Sequence, residues 1–190
     1  MKTFIKSTVL LMSLVLITSC LGEKSTAKTD DSKVEKEAVT EPNKTTNIAI
    51  KDIKNKLCID FPKALVLGYN SDASHIEIEP IDNGSGGILH CDVKLFYGKK
   101  DYEYWKGQVS AVINQMNDPF WQYNPERNSA LYHKVDGFGD KAVYIANAHT
   151  LQILKDGVLY FITPPNRGRH TNSGKETKAI ALEIAKHYGL

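Results

Sequence analysis

The 190-residue chain has little of what enzyme chemistry is usually built from. Its six histidines (His75, His90, His133, His149, His170 and His187) never fall at HxxxH or HExxH spacing, so no helix-borne metal pair is expected. No Gly-x-Ser-x-Gly elbow occurs, and only three cysteines are present. Asn83-Gly84-Ser85-Gly86-Gly87 is glycine-rich, but neither Lys-Ser/Thr nor a helix start follows it. It therefore reads as a hairpin loop rather than a phosphate cradle. The stretch Val135 to Ala142 has carboxylates but not the alternating oxygen ligands and closing Glu of a calcium loop, so it reads as a tight bend with Gly137 and Gly139 at φ > 0. The carboxylate pairs Glu77/Glu79 and Asp136/Asp140 lie on short strands and turns, where solvation is their ordinary state. No catalytic residue, metal ligand or cofactor is assigned from these patterns.

A one-sided charge is missing as well. There are 24 Lys+Arg against 22 Asp+Glu, and setting aside Lys2 and Lys6, in the leader described next, leaves 22 against 22. No long basic run or interleaved aromatic patch is present, so no nucleic acid partner is expected. The apolar run Val9–Ile17 is far shorter than the roughly 20 residues that span a bilayer.

What is there begins with Met1–Ser19: Lys2 and Lys6, then the apolar run, then Ile17-Thr18-Ser19-Cys20. This is the layout of a signal peptide (1–19), and its end resembles the lipobox of bacterial lipoproteins. The resemblance implies cleavage before Cys20 and acylation of that residue with palmitate-type chains. It also implies anchorage in the bacterial cell envelope, with Leu21 rather than Asp after the cysteine pointing to the outer membrane. The other reading is an ordinary secretory signal with a chance cysteine. Residues 20–47 are then the lipidated cysteine and a tether. Leu21–Asn47 is rich in Lys, Glu, Asp, Thr and Ser, has no aromatic residue, and would span roughly 30 Å as a flexible coil.

Residues 48–190 read as one α+β domain. Ile50, Ile53 and Leu57 recur at helical spacing, Pro62 interrupts, and Lys63–Leu67 makes a further turn. Ser74–Glu79 and Ile88–Tyr97 alternate as strands, with Leu89, Cys91, Val93, Leu95 and Tyr97 on one face and His90, Asp92 and Lys94 on the other. Asp101–Asn117 is expected to be an amphipathic helix, capped by Asp101, with Tyr102, Trp105, Val109, Val112 and Met116 inward. Ser129–Pro165 is a β-meander. Asp156-Gly157 is a type I′ turn signal that pairs Lys155 with Val158, Leu154 with Leu159 and Ile153 with Tyr160; because both faces of that hairpin are apolar, it belongs at the centre of a sheet. The last helix has a Ser173/Glu176 capping box, a stripe of Ile180, Ile184 and Tyr188, and Gly189 at its end. Cys58 and Cys91 both point inward in an oxidising compartment and are expected to form a disulfide; two buried free thiols are the alternative.

The chain order Cys58…Gly68…Cys91, then Gly137-Phe138-Gly139-Asp140-Lys141-Ala142, a strand, Lys155-Asp156-Gly157, a strand and a C-terminal helix resembles a group of uncharacterised bacterial lipoproteins. The resemblance covers about Leu57 to Tyr188 and implies a PsbP-like α+β sandwich, with no catalytic residues to carry over. The expected fold is a mostly antiparallel sheet covered by three helices, in an α/β/α sandwich-like arrangement.

Candidate ligand-binding residues fall on two loops. Trp121 and Tyr123 offer apolar area with a polar tip, or simply fold back over a core edge. Arg167 and Arg169 offer paired donors for an anion, or form a solvated basic loop. Two functions from different classes follow. One is a lipid-anchored binding or accessory module that meets an envelope protein, a cell-wall component or a small ligand. The other is an envelope hydrolase whose histidine and carboxylate are brought together by the fold.

Overall fold

The computed structural model describes residues 44–98 and 100–190. The expected signal peptide, Cys20 and most of the expected tether lie outside the described residues. Helix α1 (Lys44–Ile59) begins inside the segment expected as tether, and α2 (Lys63–Tyr69) follows Pro62. Seven strands form one sheet in the order β1-β2-β3-β7-β6-β5-β4, every neighbour antiparallel. They are β1 (His75–Asp82), β2 (Ile88–Phe96), β3 (Tyr104–Ile113), β4 (Tyr132–Val135), β5 (Lys141–Ile145), β6 (Thr150–Lys155) and β7 (Val158–Thr163). Helix α3 (Thr177–His187) closes the chain.

The Asp156-Gly157 hairpin has the expected register: both turn residues have positive φ, at 51° and 74°, and Lys155, Leu154 and Ile153 pair with Val158, Leu159 and Tyr160. A side chain from the neighbouring bend supports it, because Asp140 Oδ2 accepts the Asp156 N–H at 3.1 Å. Strand β7 is fourth of seven, as a hairpin apolar on both sides requires.

The expected helix over Asp101–Asn117 is instead strand β3. Its inward set is Trp105, Gly107, Val109, Ala111 and Ile113, at period two, while Tyr102, Val112 and Met116 are exposed. Gly107 explains part of the choice. A glycine inside a helix costs about 1 kcal/mol relative to Ala. Here it lets β7 close in, since a Cβ would lie 2.4 Å from the Thr163 carbonyl oxygen.

Strand alternation gives the sheet two faces, and all three helices lie on one of them. Leu57 and Cys58 of α1, Val66 of α2, and Ile180 and Ile184 of α3 share one core with Val93, Leu95, Val109, Leu151, Ile153 and Ile162. The expected α+β fold, a mostly antiparallel sheet covered by three helices, is present, with the helices together in one layer rather than on both faces. Opposite the helices, the connection 114–131 crosses the meander half and buries Phe120 against Val143, Ile145 and Leu159. It has no long regular element; asparagine and aspartate side chains bond its backbone instead, as Asn124 does to Glu126 N–H at 2.8 Å and Asn128 to Leu131 N–H at 3.2 Å.

A Cys58–Cys91 disulfide, with Cα atoms 5.5 Å apart, ties α1 to β2. Ile180, Ile184 and Tyr188 form the expected stripe, and the Tyr188 hydroxyl donates to the Leu57 carbonyl at 2.7 Å. Gly189 and Leu190 close α3 by bonding back to the Lys186 and Ala185 carbonyls, which is a Schellman end. The capping box does not form. The helix starts at Thr177, Glu176 makes no side-chain cap, and Ser173 Oγ instead meets Thr171 Oγ1 at 3.0 Å within a turn.

Candidate functional site

The open face divides into halves of different chemistry. Strands β1 to β3 carry charge: His90 Nε2 lies 3.3 Å from Asp92 Oδ1, Lys106 Nζ 2.5 Å from Asp92 Oδ2, and Lys94 Nζ 2.5 Å from Glu79. Asp92 is 5% exposed, and burying a carboxylate requires such partners. The histidine–carboxylate pair that alternation placed on one face is thus formed. Both oxygens of Asp92 are engaged, however, and neither residue lines any of the hollows described below.

The meander half carries no charge in its cleft. Register places Gln108 of β3 opposite Thr163 of β7, Ser110 opposite Phe161, and Phe161 in turn opposite Gln152 of β6. Ile145 of β5 stands between Thr150 and Tyr132. These side chains floor a hollow of about 530 Å³, walled by Tyr123 of the connection and by Asn147 and Ala148 of the β5–β6 turn. Tyr123 meets Tyr132 edge to face, with ring centroids 5.6 Å apart.

The Tyr123 wall is held by its own chain. Asp118 Oδ1 accepts the Phe120 N–H at 3.0 Å and the Lys141 ammonium at 3.1 Å, and these two contacts, the amide first, hold its carboxyl below the ordinary value. Phe120, 1% exposed, is the peg that fixes the segment to the sheet.

The donors and acceptors of this cleft are amides and hydroxyls. Thr150 Oγ1 meets Thr163 Oγ1 at 2.7 Å and donates to the Ala148 carbonyl at 3.1 Å. Gln152 is different. It is 5% exposed, and its Oε1 has no hydrogen-bond partner. Its cross-strand neighbours are Val143 and Phe161, which offer none. An orphaned buried acceptor costs about 1–3 kcal/mol, so a functional reason is sought where one lines a cavity.

Of the candidates named from sequence, Tyr123 lines this cleft, whereas Trp121, 52% exposed, does not. Arg169 lines a separate hollow with His133 and Tyr144, which lie on the helix-covered face; the four residues therefore do not form one site. Arg167 is exposed, with φ 31°, and lines neither. A third hollow lies against the Gly137–Asp140 bend; of the charges that line it, Lys134 pairs with Asp136 at 2.8 Å and Lys141 with Asp118 at 3.1 Å, beside Glu126 and Asp140. Among the described residues no cluster of three or more His, Cys, Asp or Glu is placed to hold a metal, and no helix is long and apolar enough to cross a membrane. Gln108, Ser110, Asn147, Thr150, Gln152 and Thr163 were not singled out from sequence.

No protein-family model, curated protein or solved structure matches the chain.

Proposed function

We propose that the chain is a lipid-anchored envelope protein that acts by binding. Its ligand is an uncharged molecule rich in hydroxyl or amide groups, of carbohydrate type, held in the cleft on the open face. The observation that carries the reading is the buried, unpartnered Gln152 Oε1 within a cleft of neutral donors and acceptors. A sugar hydroxyl would supply the missing donor. The aromatic faces of Tyr123, Tyr132 and Phe161 suit the apolar flats of a pyranose ring, and an uncharged ligand asks for no counter-charge.

Titrating chitotetraose and maltotetraose into the full chain in neutral detergent tests this. Saturable binding of at least one, weakened about tenfold or more by Gln108→Leu or Gln152→Met and unchanged by Trp121→Ala, is the expected result. Binding of neither at millimolar concentration refutes the ligand class. The anchor rests on the lipobox alone. Cys20→Ser is expected to leave the chain uncleaved or freely soluble, because acyl chains rather than a spanning helix hold it. Unaltered membrane fractionation and mature mass would end that reading.

The hydrolase alternative draws on histidine–carboxylate contacts, of which His75–Glu77 at 3.4 Å is solvent-exposed and His90–Asp92 at 3.3 Å is the better buried. A general base needs a free lone pair facing a cleft. The His90–Asp92 pair lines no hollow and shares its carboxylate with Lys106, so binding is the better reading.

A further inference from the structure

We propose that the hollow between the β5–β6 turn and the first turn of α3 is a second binding site. It takes an oxyanion, a phosphate or carboxylate group, and fills more readily as pH falls. The hollow measures about 240 Å³. Every element around it contributes a titratable or charged group. His133 comes from β4, Tyr144 from β5 and His149 from the turn; Arg169 and His170 come from the loop after β7, and Glu176 and Lys178 from the start of α3. Two permanent cations and three imidazoles thus face a single carboxylate. The sequence as a whole is close to balanced, at 24 against 22, so this excess is local.

The two permanent cations here carry no carboxylate partner, unlike five of the lysines elsewhere on the surface. Lys94, Lys106, Lys134, Lys141 and Lys175 each have a carboxylate partner. Among the described residues, Arg169 and Lys178 take part in no ion pair. The Arg169 guanidinium sits 5.3 Å from the Trp105 ring centre, and Lys178 Nζ 5.9 Å from that of Tyr144. A ring face positions a cation without neutralising it, which leaves the charge available to an anion.

The walls are also fixed in place before any ligand arrives. Thr177 Oγ1 accepts the Gly168 N–H at 2.7 Å and the Asn166 amide at 3.0 Å, locking the loop to α3. Gly168 packs so closely on His149 that a Cβ would lie 2.4 Å from the ring's Cε1. His149 itself holds φ 54°, and its ring lies against Gly168. Burial first, and the Glu176 charge second, push the Tyr144 phenol up to about 12, so its O–H stays a donor. Histidine as a residue type gains its charge between about pH 8 and 5. Three imidazoles around one hollow therefore make anion capture strengthen with acidity.

Inorganic sulfate is the probe, because it keeps its double charge across that window. Titrated into the full chain in neutral detergent at pH 5.5, it should shift the ring resonances of His133, His149 and His170. At pH 8 the affinity should be at least about tenfold weaker; losing two charges some 6 Å from a dianion in a water-like dielectric is roughly a hundredfold before salt screening, which reduces it. Arg169→Ala should weaken binding at both pH values, Arg169→Lys should restore part of it, and His149→Asn, whose side chain tolerates the left-handed backbone, should flatten the pH dependence. Inorganic phosphate and acetate arms rank the two group types. Mixed micelles with phosphatidylglycerol, against phosphatidylcholine, tell a lipid headgroup from a free solute. Sulfate binding that is equal at the two pH values, or that survives Arg169→Ala with the unfolding midpoint unchanged, overturns the proposal; so does the absence of histidine shifts at pH 5.5.

Discussion

Gln152→Met separates a ligand-binding role for this residue from a merely structural one. Gln152 lies on the open face of β6 between Val143 and Phe161, 5% exposed, with an Oε1 that nothing satisfies. Methionine has the same unbranched reach, and its thioether is content among apolar neighbours. The substitution removes an orphaned acceptor that costs about 1–3 kcal/mol. It also adds apolar contact with Val143 and Phe161. Part of that gain is lost because the unfolded amide is well hydrated, so a net stabilisation of about 1 kcal/mol is expected. In thermal unfolding this is a Tm rise of a few degrees for a domain of this size. Urea denaturation should show a higher midpoint at unchanged slope, which reports stability rather than a change in compactness. Binding of chitotetraose or maltotetraose should fall in the same variant. A residue kept for structure would lose stability on substitution, and a residue with no role would leave binding alone; only an acceptor reserved for a ligand raises one and lowers the other. A loss of about 1 kcal/mol or more of unfolding free energy, read as a lower urea midpoint at unchanged slope, would mean the amide is satisfied in the unliganded fold, and the reasoning fails.

Two further outcomes follow from the packing. Cys58→Ser with Cys91→Ser should cost about 4 kcal/mol, the chain-entropy value for a loop of 33 residues, and denatured wild-type protein without reductant should titrate neither thiol; a double variant as stable as wild type would show the bridge to be idle. Stability should also fall as pH rises from about 10 towards 12. Burial, and then Glu176, push Tyr144 up to about 12, and burial raises Tyr188 as well, so the folded chain keeps protons that the unfolded chain has already released near 10.0. Urea midpoints at pH 9 and 11.5 measure this. Tyr188→Phe should make the decline shallower, and an equal decline in that variant would contradict the assignment.

The parts of the fold legible in the sequence were those whose cause is local. Asp156-Gly157 needs positive φ at both positions, and that alone sets the pairing from Ile153 to Tyr160. The Gly189 helix end is of the same kind. Strand β3 was misread because Trp105, Val109, Val112 and Met116 happen to recur at helical spacing, while the true inner set is diluted by the small residues Gly107 and Ala111. Pairing with β2 on one side and β7 on the other decided the matter; β2 directly precedes β3, but β7 is remote in sequence. Gly107 and the β-branched Val109, Val112 and Ile113 were the available signals for a strand. The capping box failed for a related reason: Ser173 and Glu176 have the right spacing, but the Thr171 turn claims Ser173 first. The cleft goes with β3, since Gln108 and Ser110 fall within the stretch expected as a helix. Gln152 was visible all along, as an amide amid Leu151, Ile153 and Leu154.

The division of the open face bears on why binding is favoured over catalysis. On β1 to β3 the polar residues satisfy one another: Asp92 is shared by His90 and Lys106, Lys94 takes Glu79, and His75 stacks on Phe96 with ring centres 4.4 Å apart. Such a surface is electrostatically complete and offers a ligand little that water does not. In the cleft across β3, β7 and β6 the polar residues are neutral and Gln152 is unfulfilled, and Tyr123 of the segment pegged by Phe120 walls one side. Unspent hydrogen-bonding capacity in a preformed hollow is what selective binding draws on, because the rigid wall has already met the ordering entropy. Catalysis would ask for the reverse arrangement, with charge in the cleft and saturation outside it. Here the charged residues of β1 to β3, Glu79, His90, Asp92, Lys94 and Lys106, line none of the described hollows, and the cleft across β3, β7 and β6 is lined by no charge.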